Sequence, residues 1–345
     1  MTTSSFIDMR TDTSSLPTDA MRQAMAQAQV GNDGLRLDPT VNRLEALAAR
    51  LLDKQAALFV PSGCMGNLIA LMAQAGQGRA LLAGMYSHVQ AHTSAPLAQF
   101  AGVMPIPIDD SGGGPDPDLV RALCRKAPAS VLAIENTHNW CGGQVMPPAR
   151  VAFYGELASE LGLRLHMDAA RLFNAAVALG LAPAQLVGPA DSVMFCLSKS
   201  LCAPVGSMLV SDEATIDRAR QLRKMLGGQM RQAGILAAAG IVALDQMVDR
   251  LAEDHAKARQ LAAGIKSIPG LDVDSEPQTN LVMCRLVRPG GLSVRTFLAR
   301  AQEAGVLGLA FGDDRVRLTC YRDISRQDVD RAVAALGKVM AEDRA

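Results

Sequence analysis

The chain has 345 residues, of which 49% are hydrophobic and only 3% aromatic, and its 34 basic side chains balance 34 acidic ones. That length predicts a large core and about two domains. A net charge of zero does not favour nucleic acid or an anionic membrane as a partner, and no apolar run approaches the ~20 residues of a membrane-spanning helix.

The start of the chain and its cysteines indicate a cytoplasmic protein. Residues 1–6 lack the basic start and the apolar core of a signal peptide. The seven cysteines are scattered, form no CxxC motif and show no metal-ligand spacing with histidine. We therefore expect reduced thiols, and we expect neither a structural zinc ion nor another metal site.

Predicted strands and helices alternate along most of the chain, after an extended segment at residues 6–16. This alternation indicates a mostly parallel sheet with helices on both faces. The predicted strands lie at 56–60, 81–83, 103–108, 130–135, 163–168, in the apolar run before Lys199, and at 206–210. The predicted helices between them lie at 68–74, from 87, at 115–126 and at 151–161.

The pattern changes in the last third of the chain. A helix-rich stretch at about 213–266 precedes fewer, alternating strands beside helices, which indicates a smaller α+β domain. We predict a large α/β domain at residues 1–250, including the N-terminal segment, and a small C-terminal α+β domain at 251–345.

Two charged residues follow neighbouring apolar runs of strand length. Asp168 ends one run and Lys199 ends the next, and ligands of open α/β sheets bind outside the carboxyl ends of the strands. This pair suits pyridoxal phosphate (PLP), because a lysine holds the aldehyde as a Schiff base and a carboxylate keeps the ring nitrogen protonated. On these two residues alone an alternative stays open, namely a solvated lysine and an aspartate that caps a helix.

A strand, a glycine-rich turn and a helix occur between residues 56 and 74. Ser62, Gly63 and Cys64 lie at the turn, where backbone N–H groups and a helix N-terminus would form a phosphate site. A tight turn with glycines for steric reasons is the alternative. The turn is not a P-loop, because no Gly-Lys-Ser/Thr follows it.

Six motifs follow one another along the chain: GCMGN at 63–67, ENTHN at 135–139, HMDAAR at 166–171, LSK at 197–199, MLGGQMRQ at 225–232 and RVRL at 315–318. The set resembles the threonine aldolase (β-eliminating lyase) family of fold-type-I PLP enzymes, from about residue 6 to the C-terminus. The resemblance implies the fold-type-I architecture, with a large PLP-binding domain.

The resemblance also implies roles around the cofactor. Lys199 is the Schiff-base lysine, Asp168 pairs with the ring nitrogen, and His88 stacks on the ring, although a surface histidine at a helix start is the alternative for His88. The remaining cofactor contacts that the resemblance implies are Ser62, Gly63, Cys64, Arg171, Ser198 and, reaching into a neighbouring subunit, Arg231.

The substrate contacts implied by the resemblance are Arg171 and Arg317 for the carboxylate, with Thr11 adding a hydroxyl. Arginine suits bidentate recognition of a carboxylate. His138 is implied to orient the β-hydroxyl, or the water that deprotonates it, and is counted with Lys199, His88 and Asp168 as catalytic. Surface ion pairs for the arginines and a loop role for His138 are the alternatives.

The sequence departs from the family pattern at several positions. Cys64 stands where the family usually has a hydroxyl residue, and Ala169 replaces a glycine. Leu35 replaces a tyrosine, and Arg36 and Leu37 replace Gly-Asp in a loop near the substrate entrance. The choice of substrate therefore stays open.

The function implied is retro-aldol cleavage of an L-β-hydroxy-α-amino acid, such as threonine, allo-threonine or phenylserine, to glycine and an aldehyde. Other fold-type-I activities, β-elimination or racemisation, and a PLP-binding protein without turnover stay as alternatives. The resemblance implies an amino acid as the small-molecule partner. It also implies a homotetramer, a dimer of dimers whose active sites are shared between subunits.

Overall fold

The computed structural model describes residues 6–287 and 290–343, whose strands form three sheets. The strands, numbered in chain order, are β1 Ile7–Asp8, β2 Ala56–Val60, β3 Ala80–Gly84, β4 Met104–Ile108, β5 Ala129–Glu135, β6 Arg164–Asp168, β7 Ser192–Cys196, β8 Ser207–Ser211, β9 Leu271–Val273, β10 Leu281–Leu286, β11 Val306–Leu307, β12 Leu309–Ala310 and β13 Arg315–Thr319.

The helices, likewise numbered in chain order, connect and cover these strands. They are α1 Asp19–Ala26, α2 Pro39–Leu51, α3 Gly63–Gln74, α4 His88–His92, α5 Ser94–Ala101, α6 Pro117–Cys124, α7 Pro148–Glu160, α8 Leu172–Leu179, α9 Pro183–Val187, α10 Glu213–Met225, α11 Gly234–Gln246, α12 Leu251–Lys266, α13 Val294–Glu303 and α14 Arg326–Glu342. Within the described ranges, no helix is long and apolar enough to cross a membrane.

The largest sheet has seven strands in the order β2-β8-β7-β6-β5-β3-β4. All neighbouring strands run parallel except at β8, which is antiparallel to both β2 and β7. The sheet is covered on both faces, since Leu58 and Leu209 belong to one apolar cluster while Phe59 and Val210 belong to another. Burial on both faces explains why its strands read as continuous apolar runs.

Strand β4 lies at the edge of this sheet, as its prolines predict. Pro105 and Pro107 have no N–H group to donate, so they are tolerated where a strand pairs on one side only. The register of the central strands is regular, with Glu135 opposite Asp168 and Asp168 opposite Met194. Parallel pairing therefore brings the last residues of β5 and β6 side by side.

Helix α3 corrects one expectation. The glycine-rich residues that were predicted as a turn form its first turns, and Ser62 caps it by accepting a hydrogen bond from the Met65 N–H at 3.2 Å. A Cβ added at Gly66 would lie 2.7 Å from the Met194 side chain. The absence of a side chain at Gly66 thus lets α3 pack closely on β7, the steric role that was left open.

A second core surrounds a four-stranded antiparallel sheet in the order β12-β13-β10-β9. Helices α12, α13 and α14 supply much of this core, and Ile7 and Met9 join it from the N-terminal segment. Strand β1 pairs with β11 in a separate two-stranded parallel sheet. The predicted division near residue 250 stays a prediction.

Candidate active site

A cavity of about 300 Å³ opens where β5 and β6 end, and residues of β12 and β13 line its opposite side. Its volume suits a small molecule. The carboxyl ends of parallel strands are the usual ligand site of such sheets. The wall includes six of the predicted site residues, Thr11, His88, Asp168, Arg171, Lys199 and Arg317, together with Glu135.

Asp168 is 1% exposed and lines the cavity. Its Oδ2 accepts a hydrogen bond from Asn67 Nδ2 at 2.7 Å, and its Oδ1 accepts one from the Ala170 N–H at 3.1 Å. His88 Nδ1 lies 3.6 Å from Oδ2. Burial lowers the pKa of His88, and the charge of Asp168 opposes that effect, so the imidazole is neutral at neutral pH.

Glu135 is a second buried carboxyl group in the cavity wall. Its Oε2 accepts a hydrogen bond from the His88 N–H at 2.6 Å, and its Oε1 accepts one from the Asn139 N–H at 2.8 Å. Burial raises the pKa of Glu135, and the neighbouring Asp168 adds to the rise, although His138 opposes it. Glu135 therefore joins the start of α4 to the loop after β5.

Lys199 follows β7 in a tight turn. Its carbonyl accepts hydrogen bonds from the Ser15 hydroxyl at 2.7 Å and from the Cys202 N–H at 2.8 Å. These two contacts hold the backbone at Lys199, while its side chain lines the cavity. The preceding residue, Ser198, is half-buried.

Arg171 is buried and forms a two-pronged ion pair with Asp12. Arg171 Nε donates to Asp12 Oδ2 at 2.8 Å, and Arg171 Nη2 donates to Oδ1 at 2.7 Å. Asp12 Oδ2 also accepts from the Ser200 hydroxyl at 2.8 Å. Burial alone would raise the pKa of Asp12, but the Arg171 guanidinium outweighs it and holds this pKa well below the usual range.

Arg317 is 7% exposed and forms no ion pair with the residues that the structure describes. Its Nη1 donates to Asn139 Oδ1 at 2.9 Å, its Nη2 donates to the Arg10 carbonyl at 3.0 Å, and its buried Nε has no partner there. Burial, followed by the charge of Arg171, lowers the pKa of Arg317 to about 10. It is therefore still cationic at neutral pH and is a ready site for an anion.

His138 lies behind the cavity wall and is 2% exposed. Its Nε2 lies 2.8 Å from Asp110 Oδ2, and its Nδ1 lies 3.4 Å from the Cys141 backbone nitrogen. Burial opposes protonation, but the Asp110 carboxylate outweighs it and raises the pKa of His138 to about 10. The structure thus does not bring His138 to the cavity surface, and its role at the substrate hydroxyl stays a prediction.

The predicted phosphate contacts lie at the N-terminus of α3. The first N–H groups of a helix have no acceptor within it, so Gly63 and Cys64 offer donors there. Partial burial raises the pKa of the Cys64 thiol; the Asp168 charge adds to this rise and Lys199 opposes it.

Arg231 and the loop that departs from the family pattern lie away from this cavity. The Arg231 carbonyl accepts a hydrogen bond from the Asp33 N–H at 3.0 Å, and its side chain is exposed. Leu35 and Leu37 are 66% and 65% exposed, and Arg36 pairs with Asp217. None of these side chains lines the cavity of its own chain.

Sequence reasoning missed several residues of the cavity wall. His92 lies one helical turn after His88, with ring centroids 4.6 Å apart, and this i,i+4 spacing was visible in the sequence. Phe311 lies in a stretch with no predicted strand or helix, and its ring centroid is 5.4 Å from Arg317 Cζ. Glu135 lies within the motif at 135–139, but the sequence assigns it no role. No sequence pattern marks Asp12 apart from its position next to Thr11.

The residues present fit PLP. The cavity holds an amine, a buried carboxylate and a flat imidazole, and the α3 N-terminus offers phosphate donors. Three buried polar atoms of the wall, His88 Nδ1, Thr137 Oγ1 and Arg317 Nε, have no hydrogen-bond partner among the described residues. Over the same residues, no group of three His, Cys, Asp or Glu side chains could hold a metal ion.

Comparisons with known proteins agree with this geometry. Residues 8–288 match the family model of the beta-eliminating lyases. Low-specificity L-threonine aldolase 1 of Arabidopsis thaliana is 37% identical, over 97% of this chain and 96% of its own length. The low specificity L-threonine aldolase of Escherichia coli strain K12 is 38% identical, over 95% of this chain and 97% of its own.

The fold also resembles that of a solved structure. Threonine aldolase of Leishmania major superposes with a TM-score of 0.81 at 20% identity, covering 96% of this chain and 99% of that one. At this identity the likeness concerns the fold alone. It confirms the predicted fold-type-I α/β architecture, with a large mostly parallel sheet and a smaller antiparallel one.

Asp12→Asn should reduce the free energy of unfolding by about 3–5 kcal/mol, because it leaves the Arg171 charge buried without its partner. The folded-state pKa of Asp12 is below its unfolded value, so this contribution is present above about pH 4 and is lost as the pH falls through the folded-state value. Urea unfolding from pH 7 to pH 3 measures the full contribution above about pH 4 and the onset of its loss below that pH.

The exposed Asp245 provides the control, since Asp245→Asn should change stability by less than about 0.5 kcal/mol. Equal effects of the two substitutions, or a loss at Asp12 that stays constant down to pH 3, would contradict the structural role of the ion pair.

Proposed function

The chain belongs to the beta-eliminating lyase family and is a PLP-dependent lyase, and we propose on that premise that it cleaves an L-β-hydroxy-α-amino acid to glycine and an aldehyde. The substrates are amino acids of the threonine, allo-threonine or phenylserine type. Both relatives named above carry the name of a low-specificity L-threonine aldolase, which supports this class of substrate.

The observation that carries the proposal is the cationic Arg317 in the same cavity as Lys199 and Asp168. A buried guanidinium without a carboxylate partner is unfavourable unless an anion joins it. An amino-acid carboxylate is such an anion, and Arg317 Nε has no other partner among the described residues. An amine, a carboxylate and an anion site within one small cavity are what an α-amino acid and PLP together require.

Lys199 would carry PLP covalently, Asp168 would hold its ring nitrogen, and His88 would cover its ring. Gly63, Cys64 and Ser62 would hold the phosphate at the start of α3, with Ser198 beside the lysine. When bound, PLP supplies an electron sink for the bond that breaks at Cα. The protein groups around PLP orient the substrate, and this orientation determines which bond at Cα breaks.

Arg317 would bind the substrate carboxylate, with Thr11 contributing a hydroxyl beside it, since Arg317 Nη2 donates to the carbonyl of the preceding residue, Arg10, at 3.0 Å. Arg171 Nε and Nη2 already donate to Asp12, so Arg171 would offer the substrate carboxylate mainly its positive charge and its remaining nitrogen, Nη1. Leu309 and Phe311 form an apolar part of the wall. This surface would contact the side chain of the substrate beyond its β-carbon.

His92 would accept the proton of the β-hydroxyl. Its exposed ring lines the cavity and has no hydrogen-bond partner in the described part of the chain, whereas His138 is buried and both its ring nitrogens have partners, Asp110 Oδ2 at Nε2 and the Cys141 N–H at Nδ1. Histidine is the side chain that most often acts as a general base at neutral pH. The sequence-based assignment of this role to His138 is therefore the competing hypothesis.

A second copy of the chain would complete the site. Arg231 is exposed and lies beside the loop of Leu35 and Leu37, since its carbonyl accepts the Asp33 N–H at 3.0 Å. Leu35, Leu37 and Met225 are also exposed, and exposed apolar side chains of this size favour association. Arg231 would reach the phosphate held by its neighbour, and the changed loop would then approach the neighbour's substrate entrance. The homotetramer with shared sites and the cytoplasmic location stay predictions.

The PLP-loaded enzyme should convert L-threonine, L-allo-threonine or L-phenylserine to glycine and the matching aldehyde, as measured by product analysis. Lys199→Ala should lose the visible absorbance of lysine-bound PLP and, with it, turnover. Ammonia and a keto acid would instead establish β-elimination, and the opposite enantiomer would establish racemisation. Bound PLP with every substrate unchanged would contradict catalysis altogether.

Arg317→Gln should raise the KM for the amino acid by roughly ten- to hundredfold, because one charged hydrogen-bonding partner of the carboxylate is lost. The PLP absorbance should be unchanged. Arg315→Gln is the matched control, since Arg315 lies on the same strand but pairs with Asp274 at 3.1 Å outside the cavity wall. A KM that changes equally in both variants would argue against an anion site at Arg317.

His92→Asn should lower kcat by about a hundredfold or more and remove the loss of kcat at low pH, with little change in KM. The pH profile of kcat measures this directly, and His138→Asn is compared under the same conditions. If His92→Asn keeps the acid limb while His138→Asn removes it, the proton acceptor is His138 and the assignment to His92 is wrong.

A further inference from the structure

A chain of hydrogen bonds runs from Asp168 into the core between α3 and the large sheet. Asn67 Nδ2 donates to Asp168 Oδ2 at 2.7 Å, and Asn67 Oδ1 lies 3.0 Å from His166 Nε2. His166 Nδ1 lies 2.7 Å from Ser192 Oγ, and Gln74 Nε2 donates to that oxygen at 2.6 Å. Asn67, His166 and Ser192 are each 0% exposed, so water does not compete.

The direction in which these hydrogen bonds donate is set at Gln74, the end away from Asp168, by a backbone carbonyl. Gln74 Nε2 also donates to the Ala70 carbonyl at 3.0 Å, and a carbonyl oxygen only accepts. The amide nitrogen of Gln74 therefore faces Ser192, whose own hydroxyl hydrogen is left to donate to His166 Nδ1. The imidazole then carries its proton at Nε2 and donates to the Asn67 carbonyl.

The protonation state of His166 agrees with this direction. Burial lowers the pKa of His166 to about 4, although Asp168 opposes that shift, so the ring is neutral and has a single N–H. With that hydrogen at Nε2, the Asn67 carbonyl is occupied and its amide nitrogen must face Asp168. Each hydrogen bond from Gln74 onward thus donates toward Asp168.

Asp168 needs such support. It is 1% exposed, it lies opposite Glu135 in the sheet, and in the described part of the chain no Lys or Arg nitrogen lies within ion-pair distance of it. Aligned hydrogen bonds polarise one another and favour the charged acceptor at their end.

We propose that Gln74, Ser192, His166 and Asn67 form a one-directional relay that holds the Asn67 amide as a donor to Asp168 and thereby keeps the ring nitrogen of PLP protonated. The four are positioning residues, since none of them lines the cavity. Asn67 is the final donor, and His166 keeps the Asn67 amide from turning its carbonyl toward Asp168. This inference rests on the proposed function, because it concerns the partner of the ring nitrogen.

The test uses holoenzyme reconstituted with PLP that carries ¹⁵N in its ring, without substrate. The ¹⁵N chemical shift distinguishes a protonated from an unprotonated ring nitrogen, and a PLP titration gives the dissociation constant. Asn67→Leu should move the signal toward the unprotonated position and weaken PLP binding by roughly ten- to hundredfold. Ser192→Ala should move it in the same direction by a smaller amount, because the tautomer of His166 is then no longer set.

Leu71→Ala is the matched control, because Leu71 is also fully buried on α3 but lies outside the relay. It should reduce stability and leave the ¹⁵N shift unchanged. Ser192→Ala removes a single hydroxyl far from PLP, so it remains informative if Asn67→Leu does not fold. A wild-type ¹⁵N shift in Ser192→Ala, or a shift no larger than that of Leu71→Ala, would overturn the relay.

This outcome is distinct from a failure of the proposed function. If the wild-type protein binds no PLP at Lys199, the proposed function falls and the relay has no cofactor to act on. If the wild-type protein binds PLP with an unprotonated ring nitrogen, the relay is wrong while the lyase assignment stands. The ¹⁵N measurement contains no substrate, so the choice of amino acid does not affect either result.

Discussion

The ion pair between Asp12 and Arg171 joins the parts of the molecule from which the cavity is built. Asp12 belongs to the N-terminal segment, Arg171 precedes α8, and Ser200 follows the turn that carries Lys199. Asn280, at the start of the small sheet, donates to the same carboxylate at 3.2 Å. Because a buried carboxylate is stable only with such partners, the positions of all four segments depend on one another.

In the cavity, residues of the same chemical type differ in their hydrogen-bond and ion-pair partners. Arg171 forms an ion pair with Asp12, whereas Arg317 donates to an amide oxygen and a carbonyl and forms no ion pair with the described residues. Asp168, in the cavity wall, accepts hydrogen bonds from the Asn67 side chain and from the Ala170 N–H. Glu135 instead uses both oxygens to hold backbone N–H groups of the wall. Differences in pairing, rather than in residue type, separate binding groups from structural ones.

The large sheet and half of the site were predictable because their signals are local. An apolar run covered on both faces has a recognisable composition, and a charged residue at its end points to the ligand edge of a parallel sheet. Asp168, Lys199 and the edge strand with Pro105 and Pro107 follow that logic. The antiparallel direction of β8 could not be predicted in this way, since a run of buried residues has the same composition in either direction.

The sequence by itself determined the family, the fold class and the residue types that chemistry at Lys199 requires, because motif order and hydrophobic pattern are properties of the chain. Only the tertiary structure decided which charges are left unpaired. His138 contacts Asp110, His92 lines the cavity, and Arg171 pairs with Asp12, whereas Arg317 forms no ion pair within the described ranges. These outcomes rest on contacts between segments far apart in the chain, whose distances and burial no local pattern encodes.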